Sequence, residues 1–176
     1  MRKLSGAAFL ALLLAGCGSN PAPEPVRPAQ RSRPPVVRSI AISPVQYVST
    51  ASSASLFVIK ASQFIAGRQG DSGVGNFARQ FVADQEGVGA QLSFAGRRLN
   101  LLPAAALNPT HQAMLDALSA SPDPARTYVT QLTTVLRQTA TFHRQYERYG
   151  TSPTLRPVAS MAAPVFEREL SQLRGL

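Results

Sequence analysis

One cysteine, two histidines and no tryptophan occur in the 176 residues of this chain. A lone thiol cannot close an internal disulfide, and zinc motifs that rely on paired cysteines are excluded with it. Two histidines beside nine scattered carboxylates leave little material for a metal cage or a catalytic constellation. No nucleophile elbow, phosphate loop or Glu-x-x-His pair is present. Acidic residues are also scarce against 18 Lys and Arg, which gives a formal charge of +9. That excess does not mark a nucleic-acid binder, because it is spread along the chain and aromatics do not interleave with it. What the chain does have is a hydrophobic content of 44%, enough for one domain with a real core.

The cysteine stands at an informative place. Arg2 and Lys3 precede an apolar run from Ala7 to Leu14, which is followed by Ala15-Gly16-Cys17. A basic end, a short apolar stretch and small residues before a cut make a secretory signal. The run is too short for a lasting span, which needs ~20 residues. Leu14-Ala15-Gly16-Cys17 resembles the lipobox of bacterial lipoproteins, which implies cleavage before Cys17 and a diacylglycerol on its sulfur. An ordinary cleaved signal with an incidental cysteine is the bland alternative. Acylation accounts for a thiol that stays single in an oxidising compartment. Residues 1–16 are then a signal peptide, and the mature chain is expected to begin at Cys17 with a lipid anchor in the membrane. By the same resemblance, Gly18 in place of Asp points to the periplasmic face of the outer membrane.

Residues 17–45 read as a tether behind the lipidated cysteine, and seven of the fourteen prolines fall within 18–45. Proline removes amide donors and fixes φ, so a disordered to polyproline-like segment is expected. Arg27, Arg31, Arg33 and Arg38 against Glu24 make it net +3. Near anionic headgroups each basic group adds ~1 kcal/mol of attraction. A solvated tether in an arginine-biased chain is the other reading, since arginines number 16 and lysines two. From residue 46 onward 12 basic and 8 acidic residues leave only +4.

Residues 46–176 carry helical periodicity and no strand pattern of useful length. Ala54, Phe57, Val58, Ala61, Phe64 and Ile65 recur at three and four, which predicts a first helix with one buried stripe. The Gly67–Gly73 region ends it, with Asp71-Ser72 as the cap of a second helix bearing Val74, Phe77, Phe81, Val88 and Leu92. After a connection with Pro103 and Pro109, Thr110 is expected to cap a short helix with Met114, Leu115 and Leu118. A long helix follows Pro122 and Pro124, with Tyr128, Leu132, Val135, Thr139, Phe142 and Tyr146 inward. In the last helical region Leu155, Val158, Ala162, Phe166 and Leu173 mark the apolar side, and Pro164 is expected to kink or divide it. These parts make an all-α fold, an antiparallel four-helix bundle with one extra short helix.

Polar residues inside these stripes are the candidate site. Gln85 keeps the spacing of Phe81, Val88 and Leu92, and Glu169 that of Phe166 and Leu173. Lys60 falls between Phe57 and Phe64 at the edge of the first stripe. A buried charge must be paired or it costs several kcal/mol. The expectation is a buried polar cluster in which Lys60 pairs with Glu169 and Gln85 lies nearby. The alternative is that Lys60 and Glu169 reach water separately.

The second helix from Phe77 through Asp84-Gln85, the run His111-Gln112-Ala113-Met114-Leu115, the helix-leading Tyr128, and Pro164 with Phe166 and Leu170 resemble the bacterial domain of unknown function 4142 family. That resemblance covers about residues 46–176 and implies a ferritin-like helical bundle in an envelope protein. The chain departs from the family pattern where it matters chemically. Gln85, Leu136 and Glu169 stand where the resemblance places histidines, and Lys60 stands where it places a glutamate. Ferritin-like metal centres need inward carboxylates and histidines from facing helices. No metal or other cofactor is therefore expected; His111, at the start of the short helix, reads as a cap or surface contact, and His143, at the border of the apolar face beside Phe142, as a hydrogen-bonded packing residue rather than a ligand. The function expected is a lipid-anchored, non-enzymatic envelope module with an envelope protein or peptidoglycan as its partner. A ferritin-like metal-binding or redox protein is the alternative, and a small-ligand carrier is a third.

Overall fold

The computed structural model describes residues 41–176 and folds them into five α-helices, with no strand among them. Residues 1–40, with the expected signal, Cys17 and most of the proline-rich segment, lie outside the described residues. Helix α1 spans Pro44–Gln69, α2 Gly73–Arg97, α3 Pro109–Ser119, α4 Pro124–Tyr149 and α5 Arg156–Leu173.

Helices α1, α3 and α4 start on one device: a proline in the first turn behind a polar cap. Ser43, Asn108 and Asp123 each accept a hydrogen bond from the backbone amide three residues on. A proline there forfeits an amide that had no helical partner anyway. Pro44 is thus a helix starter, and α1 begins two residues before the boundary at 46 read from the sequence. For the same reason Asn108 caps α3 in place of Thr110, since Pro109 supplies the first helical position. Ser72 caps α2 by accepting from Gly75 N at 3.1 Å. Helix α5 is not divided at Pro164. Pro164 and Ser160, whose carbonyl loses its helical donor, are both exposed, so water takes the freed acceptor.

Helix α1 packs along α2, and α4 along α5; α1 also meets α4, α2 meets α5, and α3 lies against α1 and α4. The core has two clusters. One joins the C-terminal part of α1 (Ala54 to Ile65) to α2 from Ala78 to Val88, Leu118 of α3, much of α4 (Tyr128 to Ala140) and the later part of α5 (Ala162 to Leu173). The other joins the start of α1 (Tyr47, Val48) to the ends of α2 and α4 (Leu92, Ala95, Tyr146) and the start of α5 (Leu155, Val158). The expected stripes supply most of these residues, but Phe64, Phe77 and Phe142 only flank the clusters.

Candidate functional site

Each of the four long helices places one polar side chain in the larger core cluster: Ser62 from α1, Gln85 from α2, Tyr128 from α4 and Glu169 from α5. All four are 0% exposed. Gln85 and Glu169 arrive there by periodicity, three or four residues from buried Phe81, Val88, Phe166 and Leu173. Gln85 Nε2 donates to Glu169 Oε2 at 2.9 Å, and the Ser62 and Tyr128 hydroxyls lie 2.8 Å apart. Gln85 Oε1 and Glu169 Oε1 have no partner. Burial pushes the Glu169 carboxyl up to about 8; the bond from Gln85 opposes this, the Asp84 charge adds to it, and Arg168 subtracts. Glu169 is therefore mostly the neutral acid at pH 7, with Oε1 free to carry the proton. Burial also raises the Tyr128 phenol, against its bond to Ser62 and in line with the nearby Glu169 charge.

At the rim of this layer the next residue on each helix pairs in turn. Arg168 Nη2 donates to Asp84 Oδ2 at 3.0 Å, and Gln80 Nε2 donates to the other Asp84 oxygen at 3.0 Å. The structure thus brings Gln85 and Glu169 together and leaves Lys60 out. Lys60 is exposed and has no ion pair among the described residues. The α1 stripe is centred on Val58, Ala61 and Ile65, so a residue beside Phe57 and the half-buried Phe64 turns to water, which a charged ammonium prefers. Lys60 and Glu169 do not pair.

A second polar group sits in the other half of the core. His143 is 1% exposed and shares a 3.0 Å hydrogen bond between its Nδ1 and the Tyr47 hydroxyl. Tyr47 stacks on Tyr146 with centroids 3.8 Å apart, and His143 lies 5.0 Å from the Phe166 ring. Burial pushes the imidazole down to about 4, so it is neutral at pH 7. Its expected place at the border of the apolar face is in fact inside. His111 stacks on Phe57 at 5.3 Å, and its Nδ1 is 2.7 Å from Ser53 Oγ. Its backbone amide is the group being capped, by Asn108 Oδ1 at 2.8 Å, so it is not itself a cap. The two histidines therefore brace helix contacts. Sequence reasoning missed the buried serines of α1, of which Ser53 meets His111, Ser62 meets Tyr128 and Ser52 accepts from Ala104 N; their signal was small polar residues on an otherwise apolar face.

A groove of about 170 Å³ runs between α2 and α5, lined by Gly87, Val88, Met161, Ala162 and Val165. That is below the roughly 300–1,000 Å³ of a small-molecule pocket; a larger depression of about 380 Å³, lined by Glu147, Pro153, Arg156, Pro157 and Ser160, is wide open to solvent and polar at its rim, unlike the enclosed apolar cavity of a lipid carrier. Among the described residues no group of three or more His, Cys, Asp or Glu side chains is placed to hold a metal ion. The interior donor set of one carboxyl and one amide, with apolar Leu136 fully buried, does not fit a ferritin-like metal pair. Among the described residues no helix is long and apolar enough to cross a membrane.

The described part of the chain is thus an all-helical unit with a buried, proton-holding polar layer. Residues 29–176 match the family described as Domain of unknown function (DUF4142), and the chain belongs to that family. No curated protein and no solved structure matches it.

Proposed function

We propose that this chain is a lipid-anchored, non-catalytic module of the bacterial cell envelope, held at the periplasmic face of the outer membrane. The observation that carries this reading is the position of the only cysteine, at the end of Leu14-Ala15-Gly16-Cys17 behind a short apolar run. We read the helices as an antiparallel ferritin-like bundle. In support, the start of α1 shares a core cluster with the ends of α2 and α4 and the start of α5. The module then acts by contact, with an envelope protein or peptidoglycan as its partner. Its interior supplies packing and one neutral acid in place of a reaction centre.

Mass spectrometry of the mature amino terminus tests the anchor. Loss of residues 1–16 with a diacylglyceryl modification on Cys17 is the expected result; an intact signal or a bare thiol refutes it. Metal analysis of untagged protein tests the other half. Stoichiometric iron or manganese, lost on Glu169→Gln, would replace this reading with a metal-binding or redox one.

A further inference from the structure

Four of the large apolar side chains that the fold leaves in water lie at one end of the molecule. Val45 is 61% exposed, Phe94 65%, Leu102 71% and Tyr149 58%. Each is within three residues of a member or flanking residue of the cluster built by the start of α1, the ends of α2 and α4 and the start of α5. Exposed arginines share this end: Arg97 and Arg98 after Phe94, Arg148 before Tyr149, and Arg156 at the start of α5. The one acid in these terminal turns, Glu147, is engaged by Arg144 at 3.1 Å and by Ser160 at 2.8 Å. The surface therefore combines apolar tips with unopposed positive charge. It is also the end at which the described chain begins, since α1 starts at Pro44.

We propose that this end of the molecule docks on an anionic phospholipid bilayer. The inference deepens the anchored reading and rests on it for the presence of a membrane near the described domain. Aromatic and leucine tips enter the interface between headgroups and acyl chains, and arginines meet the phosphates. The open cleft of about 380 Å³ at this end carries the Glu147 carboxylate beside Arg156 and so does not suit an acidic peptide; the apolar groove lies elsewhere, between α2 and α5.

The absence of tryptophan makes a direct test possible. The mature chain from residue 17 carrying Cys17→Ser, which cannot be acylated and lacks the apolar signal, receives one reporter, either Leu102→Trp at the docking end or Leu176→Trp beyond the end of α5. Vesicles of equal parts phosphatidylglycerol and phosphatidylcholine should shift the Leu102→Trp emission to the blue and leave Leu176→Trp unchanged. Pure phosphatidylcholine vesicles should bind weakly. Arg97→Glu with Arg98→Glu should lower partitioning at least tenfold, since each arginine near an anionic surface is worth about fivefold. Circular dichroism checks that these exposed substitutions leave the helices intact. Equal shifts from both reporters, no shift from either, or full binding by the charge-reversed chain would overturn the proposal. An unmodified Cys17 in the mature protein would instead sink the anchored reading while leaving the vesicle result to stand alone.

Discussion

Gln85 Nε2 donates to Glu169 Oε2 across 2.9 Å, and the second oxygen of each side chain is left without a partner. In this orientation the amide's only donor group meets the acid. The layer still holds a surplus of acceptors, which a proton on Glu169 reduces. Burial is the main cause of the neutral acid, and the single bond from Gln85 offsets it only in part.

Removing the donor should cost more than removing the pair. Gln85→Leu leaves a buried carboxyl oxygen unsatisfied and is expected to destabilise by about 1–3 kcal/mol. Gln85→Leu with Glu169→Leu exchanges both groups for apolar ones of similar bulk, and it should recover most of that loss. Urea unfolding of the two single variants and the double variant measures the coupling. Simply additive losses would mean that the two residues do not act as a pair.

The pH dependence of stability should be governed by Glu169 on the alkaline side and by the histidines on the acid side. Glu169 holds its proton in the fold up to about 8, whereas the unfolded chain releases it near 4.5, so stability falls as pH rises through that window. His143 stays neutral in the fold down to about 4, whereas the unfolded chain takes a proton below 6.5, so stability falls as pH drops through its own window. Between pH 4.5 and 6.5 the Glu169 and His143 slopes oppose each other, and His111, which burial also lowers, adds to the loss on the acid side; above 6.5 the Glu169 slope stands alone, at about 1.4 kcal/mol per pH unit. Glu169→Gln should flatten the decline above pH 6.5 and leave the acid side in place. A decline unchanged in that variant would assign it to another group.

The α-helical composition was legible because apolar residues at three and four spacing leave few other folds, and the stripes of α2, α4 and α5 led to buried Phe81, Leu132 and Phe166. Gln85 and Glu169 were legible for the same reason, as polar residues in phase with those stripes. Lys60 misled because its neighbours Phe57 and Phe64 differ in burial, and periodicity alone does not locate the centre of a stripe. The caps at Ser43 and Asn108 were hidden by prolines, which read as breakers when they were starters. The Ser53 and Tyr47 partners of the histidines depend on which helices face each other, and no local pattern encodes that.

Ser53 should be the most sensitive of the α1 serines. Its hydroxyl accepts from Asn108 N at 2.9 Å and meets His111 Nδ1 at 2.7 Å, while Ser52 Oγ accepts from Ala104 N at 3.2 Å. The two adjacent serines thus fasten the connection before α3 to the side of α1. Ser53→Ala strands the Asn108 amide and should cost about 1–3 kcal/mol. Hydrogen exchange should speed up between residues 104 and 111 while α5 stays protected. Uniform acceleration across all helices would show global loosening instead.

Two glycines of α2 should respond to alanine with opposite signs. Both are helical, so alanine improves the propensity of each by about 0.5–1 kcal/mol. At Gly89 an added Cβ meets nothing within 4 Å, and the gain should appear in full as a higher melting temperature. At Gly75 the same atom would overlap the Gly70 carbonyl oxygen, a backbone atom of the turn between α1 and α2. That turn cannot easily give way, because Gly70 adopts φ 54°, where L side chains are rare, and Ser72 is fixed by its cap bond to Gly75 N. Gly75→Ala should therefore cost about 1–3 kcal/mol despite its better propensity. Thermal unfolding of the two variants separates these terms. A stabilised Gly75→Ala would mean that the turn closes the helix pair far less tightly than the backbone contact implies.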